Sequence, residues 1–82
     1  MGEIIFSYKG RQHSGYIVSS TNMEPHYHWF CFNSKEMSKL LNDDCIGFKI
    51  QNNQLLPTRP FTAHTELVET VRSIVSNSLC RF

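Results

Sequence analysis

The sequence predicts an α+β domain in which a mainly antiparallel sheet of four to five strands is backed by one amphipathic C-terminal helix. Three observations carry that prediction. Short runs with apolar residues at alternate positions recur along the chain up to Pro57, turn-forming residues separate the runs, and a long stretch of hydrophobic period 3.6 begins at about Thr62 or Thr65.

Ile4, Phe6 and Tyr8 alternate with Ile5 and Ser7, and a run from Gln12 to Ser20 carries Tyr16-Ile17-Val18 at its centre, so the chain opens with a predicted hairpin. With Gly10-Arg11 as a two-residue loop, Gly10 takes the positive φ of a type II′ turn. Ile4 then faces Ile17, Ile5 faces Tyr16, and both faces of the hairpin are apolar. After the turn-rich segment from Thr21 to Pro25, the stretch from His26 to Phe32 is dense in aromatic residues that suit a pleated surface. Period 2 places His26, His28, Phe30 and Phe32 on one face and Tyr27, Trp29 and Cys31 on the other. Neither face is polar, and this strand is expected at the centre of the sheet.

Asn33 followed three places later by Glu36 has the form of a capping box. With Met37, Leu40 and Leu41 at helical spacing it predicts a short helix near 34–42, ended by Asn42-Asp43-Asp44. Ile46, Phe48 and Ile50 share one face of the next strand. Asn52-Asn53 supplies positive φ values for a tight turn into Gln54-Leu55-Leu56, and Pro57-Thr58-Arg59-Pro60 stops the sheet. From Thr62 or Thr65 onward, Leu67, Val68, Val71, Ile74, Val75 and Leu79 form a stripe about 140° wide, the mark of a surface helix laid on a sheet. Glu66 and Glu69 stand near the positive end of its dipole and Arg81 near the negative end. Its β-branched residues make it dependent on a docking surface. The element order is β-β-β-α-β-β-α in one domain over residues 1–82, without repeats or a dividing linker.

The hairpin and the aromatic strand carry apolar residues on both faces, whereas one long helix covers a single face. Two arrangements resolve this. Either a protein partner, a second copy of the chain included, covers the other face through Tyr27 and Trp29, or the Met37 to Leu41 helix and the Pro57 to Phe61 segment fold over it. At 82 residues the chain buries only about 60 to 65% of its unfolded surface, which makes help from a partner attractive.

Eight Lys+Arg against seven Asp+Glu leave a net charge of +1, so no long-range field draws the chain to a polyanion or a membrane surface. Nucleic-acid binding, the alternative function, then rests on a local patch: Tyr27 and Trp29 as stacking residues, with Lys9 and Arg11 at the hairpin tip as phosphate contacts. The element order differs from the β-α-β-β-α-β of an RNA recognition motif. No signal peptide or apolar run of membrane-spanning length is present. Phe6 stands where a myristoylation signal has Ser or Thr, and Cys80 falls one place too late for prenylation.

Cys31, Cys45 and Cys80 are odd in number and lack a C-x-x-C pairing, which speaks against a disulfide framework and a zinc knuckle and fits a reducing cytoplasm. Cys31 and Cys45 are expected in the core, and Cys80 as an exposed thiol. His26-x-His28 places two imidazoles about 6.6 Å apart on one strand face, a spacing two ligands of one zinc ion can use. His13 falls about 13 Å from His28 along the sheet, so the pair lacks further ligands and the bland alternative is two half-exposed strand histidines. No signature orders a nucleophile with a base, Asp43-Asp44 reads as a solvated turn, and the four dispersed glycines form no phosphate-cradling loop, so no cofactor is expected. The leading expectation is a small non-enzymatic interaction or accessory protein, with nucleic-acid binding second and a metal protein or small enzyme third.

Overall fold

Each strand pairs with the next one along the chain. The computed structural model describes residues 3–20, 22 and 26–79. Its elements are β1 (Ile4–Tyr8), β2 (Arg11–Ser20), β3 (Tyr27–Phe32), α1 (Lys35–Leu41), β4 (Cys45–Gln51), β5 (Gln54–Pro57) and α2 (Thr65–Leu79). The strands form an antiparallel sheet in the order β1-β2-β3-β4-β5, with the aromatic strand β3 at its centre as expected. The described residues include no helix long and apolar enough to cross a membrane.

Two of the connections are two-residue turns with positive φ at both positions, the type whose twist matches that of the flanking strands. Asn52 (φ 54°) and Asn53 (φ 62°) join β4 to β5 as the sequence predicts. The first hairpin differs: its loop is Lys9 (φ 51°) and Gly10 (φ 77°), not Gly10-Arg11, so Ile4 faces Gly15 and Ile5 faces Ser14. The register moves by two residues, an even number, and every side chain therefore stays on the face its periodicity assigned. Lys9 tolerates the left-handed backbone because its side chain projects into solvent at the tip, its ammonium 5.7 Å from the centre of the Tyr8 ring.

The predicted Asn33–Glu36 capping box does not form. Ser34 is the N-cap of α1 and makes no side-chain cap bond. The Asn33 amide donates instead to Glu3 Oε2 at 3.3 Å and Ser14 Oγ at 3.2 Å, and Glu36 takes the Arg11 guanidinium at 2.9 and 3.0 Å. Both polar groups find partners on the hairpin, which outcompete a reciprocal bond within one turn. Asn42, with φ 56°, ends the helix in the left-handed conformation.

Both helices lie on the same side of the sheet. Met37 and Leu41 of α1 and Leu67, Val68, Val71 and Val75 of α2 join Phe6, Tyr8, Ile17, Phe30, Phe32, Ile46, Phe48 and Leu55 in one buried cluster, with Phe61, Ile74 and Leu79 packed against it. All sheet members of that cluster belong to one face. The arrangement in which α1 and the Pro57 to Phe61 segment close the second face is thereby replaced by a two-layer slab of 34 × 29 × 18 Å in which, among the described residues, neither helix covers the other face. Arg81 and Cys80 lie outside the described residues, as does most of the Thr21 to Pro25 connection.

Candidate functional site on the open face of the sheet

The strand registers arrange the open face in rows. Tyr16, Cys31 and Cys45 form one row across β2, β3 and β4; Val18, Trp29 and Gly47 form the next; Ser20, Tyr27, Lys49 and Leu56 form a third. Ile5 adds an apolar side chain near the β1 edge and is 63% exposed, while Tyr16 and Val18 are 44% and 43% exposed. Lys49 is the only charged side chain among the paired positions of this face. Such a contiguous apolar and aromatic surface on one side of a small sheet is the kind that marks an interaction site.

At its centre the Tyr27 and Trp29 rings stack, with centroids 5.8 Å apart and planes 18° from parallel. They are two residues apart on one strand, so their side chains project from the same face. Gly47 faces Trp29 across β4 at a position without direct hydrogen bonds between the two residues, where opposing side chains approach most closely. A Cβ on Gly47 would stand 2.7 Å from Trp29 Nε1 and 2.8 Å from Cδ1, so the glycine is the flat seat over which the indole lies. Gly47 in a strand interior was the sequence signal for that close approach.

Cys31 and Cys45 also face each other at such a position, and their sulfurs are 2.7 Å apart. The expectation that both are core atoms is corrected: each is half-buried on the open face. Period 2 already placed Cys31 opposite the Phe30 face; the side of Cys45 follows from Ile46, Phe48 and Ile50 being inward. Burial first, then the Cys31 sulfur, push the Cys45 thiol up to about 12. The Cys31 sulfur, followed by partial burial, also raises the Tyr16 phenol above its ordinary value.

The remaining sequence-predicted site residues are not gathered here. Arg11 points to the helix side of the sheet, where its ion pair with Glu36 is exposed, and Val18, the cross-strand neighbour of Trp29, lies seven residues or about 23 Å farther along β2. Lys9, at the same hairpin tip, is equally distant, so the proposed phosphate contacts and stacking residues occupy opposite ends of the strand. His28 turns into the covered layer, is 4% exposed, and shares a hydrogen bond of 2.7 Å between its Nδ1 and Ser19 Oγ. Burial, with His26 contributing, holds its imidazole below the usual range. His28 pairs with Ser19, which puts His13 about 20 Å away along β2 rather than 13 Å, and His13 instead packs its ring 5.7 Å from that of Phe6. Among the described residues no group of three or more His, Cys, Asp or Glu side chains is placed to hold a metal ion.

A depression of about 460 Å³ lies at the hairpin end beside the Arg11–Glu36 pair, away from the stacked aromatics. Comparison with protein-family models, curated proteins and solved structures finds no match to this chain.

Proposed function

We propose that the chain is a non-enzymatic interaction module whose open sheet face docks a second copy of itself. The observation that carries this reading is the Tyr16, Val18, Tyr27, Trp29 and Leu56 surface left on the side of the sheet opposite both helices. An outline of 34 × 29 Å has room for the roughly 800 Å² that each partner contributes to a standard interface. Sheets stack face to face at about 10 Å, which suits a flat surface whose paired positions carry one charged side chain, Lys49. A net charge of +1 sets up little repulsion between two copies.

Light scattering over a concentration series tests the reading. The unaltered chain is expected to dimerise, and Val18→Lys, which brings like charges into the centre of the symmetric contact, to be monomeric with an unchanged circular dichroism spectrum. A chain that stays monomeric at the highest concentration overturns the homodimer.

One observation favours a second reading. Lys49 lies beside the stacked pair, directly opposite Tyr27, a minimal combination of stacking rings and a cation for single-stranded nucleic acid. Salt-dependent retention on an RNA or DNA column, abolished by Lys49→Glu, would favour it over the dimer.

A further inference from the structure

We propose that Cys31 and Cys45 form a dithiol site that a small-molecule disulfide of the glutathione type converts reversibly into an intramolecular disulfide. The sulfurs are 2.7 Å apart, and both residues are half-buried on the face that neither helix covers. Phe32 N–H donates to Asp44 C=O at 2.9 Å, and Ile50 N–H to His26 C=O at 3.2 Å, so the directly hydrogen-bonded pairs of β3 and β4 are the even-numbered ones. Cys31 and Cys45 therefore face each other at a non-hydrogen-bonded position, where Cα atoms stand about 4.5 Å apart, inside the range disulfides span. Closing the bond requires movement of the side chains alone. Cys31 and Cys45 lie on the face proposed to dock a second copy, so the exchange takes place on the undocked chain and is tested at a dilution at which the chain is monomeric.

The chemistry is an exchange. Cys31, as thiolate, attacks one sulfur of the small disulfide; that S–S bond breaks, one thiolate leaves, and a mixed disulfide forms on Cys31. Cys45 then loses its proton and attacks the Cys31 sulfur, expelling the second thiolate as the intramolecular S–S bond forms. The two cysteines are oxidised, the small disulfide is reduced to two thiols, and those thiols take the two protons the cysteines release. The order follows from the environment: with the Cys31 sulfur 2.7 Å away and partial burial, Cys45 holds its proton strongly, so Cys31 is the entry point and Cys45 resolves the adduct.

The experiment treats the full chain carrying Cys80→Ser with oxidised glutathione, then alkylates with iodoacetamide and reads the intact mass. The expected product has lost two hydrogens, keeps no glutathione and takes up no alkyl group, and dithiothreitol restores both thiols. Adding Cys45→Ser should trap one glutathione on Cys31. Peptide mapping of the unaltered chain after the same treatment should give the Cys31–Cys45 cross-link, which keeps the test independent of how well either variant folds. A stable glutathione adduct on the intact pair, alkylation of both cysteines, or a cross-link from either one to Cys80 overturns the proposal.

Discussion

The two faces of this sheet use one device to opposite ends. On the covered face the Phe30 ring lies over Gly15, whose missing side chain would otherwise meet that ring and the Cys31 carbonyl oxygen. On the open face Trp29 lies over Gly47 in the same way. Phe30 is fully buried, its ring 5.7 Å from Phe6 and 5.4 Å from Phe32, and both helices close above it. Trp29 is half-buried between Tyr27, Val18 and Gly47, and neither helix packs against it in the buried cluster. A large aromatic residue thus contributes to the core or is held ready at a surface according to which side the helices take, because apolar burial stabilises only where water is excluded.

The largest effect that would break this comparison is on stability. Phe30→Ala should lower the unfolding free energy by about 3–5 kcal/mol, the cost of an aromatic deleted from a closed core, whereas Trp29→Ala should cost well under half of that and act on self-association. Urea unfolding of both variants at a concentration where the chain is monomeric measures the difference. Equal losses would mean that the open face is as closed as the other.

A smaller effect sharpens the contrast between the two seats. Gly15→Ala should cost about 1–3 kcal/mol, since the new methyl meets a backbone carbonyl as well as a ring fixed by its neighbours. Gly47→Ala should cost less, because Trp29 can tilt away from the sheet; its fluorescence maximum should move to longer wavelength as the indole enters water. A Trp29 spectrum unchanged in Gly47→Ala would show that the ring is not seated on that glycine.

The smallest effect is a pH dependence belonging to the covered face alone. His28 has its imidazole held below the ordinary 6.5, so the unfolded chain binds its proton more readily than the folded one. The corresponding stability is fully present above pH 6.5 and is lost as pH falls through that value toward the lower folded-state pKa. Denaturant melts at pH 5.5 and 7.5 should show the loss, and His28→Gln, which keeps a polar partner for Ser19 without a titrating ring, should reduce it. A slope that His28→Gln leaves untouched would assign the dependence to another group.

Much of this fold was legible in the chain. The 3.6 period from Leu67 to Leu79, the Asn52-Asn53 turn and the alternation through β3 each depend on neighbours a few residues apart, and each appears in the structure. The hairpin loop was displaced by one residue because Lys9-Gly10 and Gly10-Arg11 both place glycine in a two-residue turn, and only the twist of the paired strands separates them. Tyr27 and Trp29 were legible as surface candidates, since alternation fixes their face. Lys9 and Arg11 could not be placed relative to them, because the distance between hairpin tip and strand depends on the pairing of β2 with β3.

By itself, then, the sequence determined the order of the elements and the face on which each strand residue lies, both consequences of local backbone geometry with its periods of 2 and 3.6. Tertiary structure decided which side both helices cover, and which residues meet: Ser19 with His28, Trp29 with Gly47, and Cys31 with Cys45, fourteen positions apart and separated by a helix. Those meetings depend on registers set by connections longer than the range of any sequence period. The open face and its thiol pair therefore belong to the packed sheet and to no motif in the chain.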